Sequence, residues 1–132
     1  MKKKTLIIGG CRGIGKNIFE SIKKRGDEVF CVCRSNINKK NFIRADITKK
    51  EGLKSIQKFF QKTKINNLIF SQRYRGNSNE EEYEVILKAT NNIIKISKFN
   101  NSNSSIVIIG SIASTTIVEE QNESYHFTRG AL

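Results

Sequence analysis

Five short stretches of mostly consecutive apolar residues, Lys4 to Ile8, Glu28 to Cys33, Phe42 to Ala45, Asn67 to Ser71 and Ser105 to Ile109, alternate with longer segments whose apolar residues recur every three or four positions. Short unbroken runs mark strands covered on both faces, and the 3.6-residue recurrence marks amphipathic helices. Ile14, Ile18 and Ile22, with Phe19 beside them, predict a first helix that Gly26-Asp27 closes. Leu53, Ile56, Phe59 and Phe60 predict a second, with Asp46 or Thr48 as its N-cap. Val85, Ile86, Ala89, Ile93, Ile94 and Ile96, within Glu80 to Phe99, predict a third.

Strands alternating with helices build βαβ units and a parallel sheet, and right-handed crossovers then give the strand order 3-2-1-4-5. The expected fold is a three-layer α/β architecture, a doubly wound parallel sheet of Rossmann type. Its ligand crevice lies at the carboxyl ends of strands one and four, where the order reverses. At 132 residues, with no repeat and no low-complexity linker, the chain is read as one domain, residues 1–132. No apolar run approaches the roughly 20 residues that span a bilayer. The basic start at Met1 leads into glycines rather than into the apolar core of a secretory signal, so a cytoplasmic location and no membrane partner are expected.

Charge and cysteine change this picture little. The formal net charge of +12 raises the question of nucleic acid. The lysines are scattered in pairs at 23-24, 39-40 and 49-50, without an arginine stripe or interleaved aromatics, so a solvated basic surface is expected and no specific nucleic-acid binding. Cys11, Cys31 and Cys33 are odd in number and lack the spacing of a redox pair or zinc knuckle. Reduced buried thiols and no metal site are expected. His126, the sole histidine, has no acidic partner at the spacing of a Ser-His hydrolase and reads as a neighbour of Tyr125.

The chemistry concentrates where the first strand ends. Gly9-Gly10-Cys11-Arg12-Gly13-Ile14-Gly15 joins a buried strand to an amphipathic helix. Gly9, Gly13 and Gly15 can supply a sharp turn, a backbone that approaches a pyrophosphate without a Cβ in the way, and close packing of helix on strand. The N–H groups and positive dipole end of the helix then face the phosphates. An acidic residue at the end of strand two would bind the 2′-hydroxyl of NAD; here the strand ends Cys33-Arg34-Ser35, and Arg34 offers a fork suited to a 2′-phosphate, with Arg12 able to approach the same group. NADP(H) is therefore expected over NAD(H).

The G-x-x-x-G-x-G spacing resembles the T-G-x-x-x-G-I-G loop of the short-chain dehydrogenase/reductase family, with Ile8 where that family has Thr. Asp46, in Ala45-Asp46-Ile47-Thr48, is similar to the family's Asp-Val-Thr motif and by that resemblance accepts from the adenine amino group. Ser35, Ile14, Ile47 and Ser71 complete the nucleotide-contacting set that the resemblance implies. Ser111, followed by Tyr125-His126-Phe127-Thr128-Arg129, resembles the family's Ser and Tyr-x-x-x-Lys. The resemblance implies hydride transfer at a small carbonyl or alcohol, with Tyr125 as acid/base, Ser111 holding the substrate oxygen and Arg129 in place of the lysine. Tyr and a basic residue four apart share one helix face.

Three positions depart from the pattern. Arg129 keeps its proton and reaches differently from a lysine. Ile86 stands about where the supporting Asn belongs, and Phe70-Ser71-Gln72-Arg73 replaces Asn-Asn-Ala-Gly. A catalytically impaired nucleotide-binding or interaction protein is the alternative these departures raise. The resemblance covers the chain but only about the first half of the family, so the fold is expected to be truncated relative to the full family fold. Strand five would then be an edge, and a fragment or a homo-oligomer is expected.

Overall fold

A computed structural model describes residues 1–100, 103–111, 114–116 and 123–132. Its five strands are β1 Lys4–Ile8, β2 Glu28–Cys33, β3 Phe42–Arg44, β4 Asn67–Phe70 and β5 Ser105–Ile108. They form one sheet in the order β3-β2-β1-β4-β5, and every pairing is parallel. This is the doubly wound Rossmann-type topology that the pattern predicts.

The two sheet faces follow from the period of two along each strand. Leu6 and Ile8 point into a core with Val32, Ile56, Phe60, Leu68, Phe70 and Ile93. That core is closed by helices α2, Lys50–Lys62, and α4, Ala89–Ile96. Ile7 points the other way, with Val29, Cys31, Cys33 and Ile69, and meets Phe19 and Ile22 of α1, Gly13–Lys24. β1 is buried on both sides, which is why its run is apolar without alternation. β5 is an edge strand, with Ile106 and Val107 each 43% exposed.

Three expectations need correction. Ile14 is not part of the core stripe of α1; it is 61% exposed at the mouth of the glycine loop, and the buried face is Gly15, Phe19 and Ile22. Neither Asp46 nor Thr48 caps α2, whose N-cap is Lys49 without a side-chain bond. Asp46 Oδ1 instead accepts from the Thr48 hydroxyl at 2.7 Å and its N–H at 3.0 Å, closing a local turn before the helix begins. The third helix is not one regular piece. It starts as α3, Asn79–Tyr83, capped by the Ser78 hydroxyl accepting from Glu81 N–H, widens into a π turn over Glu84–Lys88 and continues as α4. It stops at Ile96 rather than Phe99 because Ser97 turns extended and the next residues pair with Ile65: Ile65 N–H donates to Lys98 O, and Asn100 N–H to Ile65 O.

Helix α5, Glu123–Gly130, packs on α3, where the Ser124 hydroxyl donates to the buried carboxylate of Glu82 at 2.6 Å. Phe60, 1% exposed between Phe59 and the sheet, carries a large share of the α2 face. Phe60→Ala is expected to cost about 3–5 kcal/mol, read as a lower midpoint in chemical denaturation.

Candidate functional site

The carboxyl ends of β1, β4 and β5 lie side by side, and the residues singled out in the sequence gather on that rim. The glycine loop leaves β1 at Gly9, whose N–H donates to Val32 O at 2.9 Å. Gly9 has φ +84° and Gly13 φ +53°, both in the left-handed region that a side chain disfavours. A Cβ on Gly9 would press on the backbone of Gln72 at 2.8 Å. Ser71 fixes the loop from the β4 side: its N–H donates to Ile8 O at 2.9 Å, and its hydroxyl lies 3.1 Å from Ile8 O and 3.2 Å from Gly9 O. Gly15 sits where a Cβ would strike the Ser71 hydroxyl and the Gly9 carbonyl. Ser71, expected to touch nucleotide, thus holds the loop with its hydroxyl.

Gly10 has a role that the motif did not show. A Cβ there would meet Cys31 Sγ at 2.7 Å, so the loop can lie this close to β2 only with glycine at position 10. The expectation of three reduced thiols also fails. Cys11 and Cys33 are joined in a disulfide with Cα atoms 6.2 Å apart, and Cys31 is the free thiol, buried, with its sulfur 3.6 Å from that of Cys11. The parallel register sets Ile8 beside Val32, so the loop after β1 emerges over Cys31 and Cys33, which share one face of β2. A spacing of 22 residues along the chain does not reveal that proximity. Burial pushes the Cys31 thiol up to about 11, against a smaller opposing effect of a hydrogen bond with the Gly10 backbone.

Arg12 is the N-cap residue of α1, and its side chain makes no capping bond; the first turn carries no acidic residue. The N-terminus of a 12-residue helix therefore meets the crevice with its positive end uncompensated by side chains. Arg12, Arg34 and Ser35 are exposed, and no carboxylate stands at the end of β2. Asp46 follows β3 on the same rim, with Ile47 beside it, both partly buried. Burial is the largest influence on the Asp46 carboxyl and raises its pKa. The two hydrogen bonds from Thr48 and the charges of Arg34 and Lys49 together outweigh it, so the pKa lies below the ordinary value.

At the far end of the rim, the structure brings Ser111, Tyr125 and Arg129 together. The Tyr125 hydroxyl donates to Ser111 Oγ at 3.1 Å. The Arg129 guanidinium lies over the Tyr125 ring, 5.2 Å from its centroid, and donates from Nη1 to Ile109 O at 3.3 Å. The expected pair four residues apart on α5 thus exists, but the cation faces the ring. His126 is a ring neighbour of Tyr125, edge on at 6.3 Å. Ile86 is 1% exposed and belongs to the core, so it supplies nothing to this centre. In place of an asparagine, Gln72 crosses from the end of β4 to the π turn: its Nε2 donates to Thr90 Oγ1 at 2.8 Å and to Val85 O at 3.4 Å. Among the described residues, Gln72 Oε1 and Arg129 Nε are buried without a hydrogen-bond partner. Both belong to side chains rooted at the carboxyl ends of β4 and β5 or held there.

The chain matches no protein-family model and no curated protein sequence. Solved structures do match. A short-chain dehydrogenase from Leptospira borgpetersenii, determined with bound NAD+, superposes with a TM-score of 0.83 at 21% identity over 99% of this chain and 61% of that one. The aldohexose dehydrogenase of Thermoplasma acidophilum gives 0.80 at 21% identity, over 98% and 57%. A short-chain dehydrogenase family protein from Francisella tularensis gives 0.80 at 20%, over 99% and 60%. The chain has the fold of the short-chain dehydrogenases/reductases and spans about three fifths of the length of these structures.

The depressed Asp46 carboxyl makes a testable contribution to stability. A folded pKa below the unfolded one stabilises the fold above the unfolded value and loses that effect as pH falls through the folded value. Below about pH 4 the native chain is expected to lose melting temperature more steeply than Asp46→Asn, in thermal unfolding followed by circular dichroism across pH 7 to 2.5.

Proposed function

We propose that this chain is an NADP(H)-dependent oxidoreductase of the short-chain dehydrogenase/reductase type, acting on a small carbonyl or alcohol. The observation that carries this reading is the contact of Ser111, Tyr125 and Arg129 on the same rim of the sheet as the glycine loop. A nicotinamide dinucleotide fits that rim by several independent features. Gly9 and Gly13 hold a loop without Cβ atoms on its turns, the N-terminus of α1 lacks an acidic side chain, and Ile14 offers exposed apolar surface beside it. At the Ser111–Tyr125 end, Arg129 Nε is a buried polar atom without a hydrogen-bond partner among the described residues. Preference for the 2′-phosphorylated form rests on Arg34 and Arg12 and on the missing carboxylate after β2.

The bound cofactor supplies or accepts the hydride. In the reductive direction Tyr125 donates its hydroxyl proton to the substrate oxygen, which Ser111 Oγ holds by a second hydrogen bond. The phenolate left behind lies under the Arg129 guanidinium, whose charge stabilises it without transferring a proton. Arg129 also ties α5 to the end of β5 through Ile109 O, so it sets the position of Tyr125 as well as its electrostatics.

Calorimetric titration with NADPH and, in parallel, NADH tests the cofactor reading. NADPH is expected to bind at least about tenfold more tightly, and Arg34→Ala to remove about 1.5–3 kcal/mol of that affinity, the size of a hydrogen bond to a charged group. Absence of binding to either, from a chain folded by circular dichroism, overturns it. For the chemistry, NADPH consumption with a panel of small aldehydes and ketones is expected to fall about 10²–10⁴-fold in Tyr125→Phe, the usual worth of a general acid, and to rise in Arg129→Lys. Binding with no consumption by the native chain or by Arg129→Lys would leave a dinucleotide-binding protein without turnover.

A further inference from the structure

The sulfurs of Cys11, Cys31 and Cys33 all lie within 4.8 Å of one another. Three sulfurs from two separate elements, the glycine loop and β2, converge on one point, and none belongs to the hydride-transfer centre. We propose that in the reduced chain these three sulfurs form a trigonal site for a soft monovalent cation of the copper(I) class.

Thiolates select soft ions, and three of them, with no fourth His, Cys, Asp or Glu grouped with them among the described residues, suit a three-coordinate ion better than tetrahedral zinc. With metal–sulfur bonds of about 2.3 Å, the sulfurs of a trigonal site stand about 4 Å apart. Cys31 and Cys11 are already 3.6 Å apart, and the Cα separation of 6.2 Å between Cys11 and Cys33 lets their sulfurs part by rotation about Cα–Cβ once the disulfide opens. Cys31 and Cys33 are buried, while Cys11 is only partly so, which leaves one open side for the ion to enter. The glycine at position 10 gives Cys31 Sγ its room. Arg12 and Arg34, both exposed, directly follow Cys11 and Cys33 in the chain, which puts a cationic residue next in sequence to two of the three thiolates.

The chemistry balances in two steps. A phosphine opens the Cys11–Cys33 bond, taking the oxygen of one water to become its oxide while the two water protons go to the two sulfurs. Binding then forms three metal–sulfur bonds and releases the three thiol protons to solvent, with no change in the oxidation state of the metal.

The test is an anaerobic titration of the phosphine-reduced, desalted chain with copper(I) supplied as its acetonitrile complex, against a chromogenic copper(I) chelator. One equivalent per chain is expected to be withheld from the chelator. Cys11→Ala, Cys31→Ser and Cys33→Ser are each expected to weaken binding at least about tenfold, and the oxidised chain to withhold none. Cys11→Ala, at a partly exposed loop position, keeps the test informative if a buried substitution unfolds the chain. Copper passing to the chelator as readily as from a control chain carrying Cys11→Ala, Cys31→Ser and Cys33→Ser together overturns the proposal, and so does a folded Cys31→Ser variant that binds as tightly as the native chain. Both readouts are independent of NADPH.

Discussion

The arrangement at the rim depends on one close approach, that of the glycine loop to the end of β4. The Ser71 hydroxyl reaches the carbonyls of Ile8 and Gly9, and the helix that follows can begin there only because Gly15 presents no side chain to that hydroxyl. This contact joins the two halves of the sheet at the point where strand order reverses. It sets the direction of α1 and the opening into which the loop faces, and it puts Arg12 and Ile14 on the solvent side. Had residue 15 carried a Cβ, either the loop or the end of β4 would have to withdraw, and the Ser111–Tyr125 pair beside β5 would shift relative to the glycine loop with it.

Around that contact the sheet distributes labour by position in the chain. The β1–α1–β2 unit carries the glycine loop and the exposed Arg12 and Arg34 on which the proposed cofactor reading rests. Tyr125 and Ser111 come from α5 and the end of β5, at the opposite side of the switch point. Between them a single side chain, Gln72, braces the π turn, bonding Thr90 and Val85. At the end of that turn Thr90 Oγ1 donates to Ile86 O at 2.7 Å. Widened turns of this kind recur beside functional sites, and here the turn faces the strand end next to the Ser-Tyr pair.

The fold was legible in the sequence because buried parallel strands and amphipathic helices leave period signals that need no tertiary knowledge. All five strands stand within a residue of where the apolar runs put them. What was not legible depended on pairing register or on competition between local bonds. Asp46 and Thr48 have the chemistry of helix caps, yet they satisfy each other first. Ile14 continues the spacing of Ile18 and Ile22, yet on the first turn of α1 the buried position is Gly15, packed against Gly9 and Ser71, and Ile14 is left exposed. The Cys11–Cys33 link and the role of Gly10 follow from the parallel pairing of β1 with β2, which no residue spacing encodes. At the reaction end the residue types were readable, whereas the placement of Arg129 over the Tyr125 ring rather than at its hydroxyl came only with side-chain geometry.

The span of the Cys11–Cys33 link has a consequence for how the molecule opens. Its ends are 22 positions apart, and the chain between them runs through the glycine loop, α1, the turn at Gly26 and β2. Closing a loop of that size removes about 3 kcal/mol of freedom from the disordered chain, and it does so only for this segment. Partial openings that release β4, β5 and their helices leave the cross-linked segment intact and keep the full cost they had before. In the oxidised chain, amide hydrogens of α1 and β2 are therefore expected to exchange with solvent more slowly than those of β5, through a graded hierarchy of openings rather than a single cooperative one.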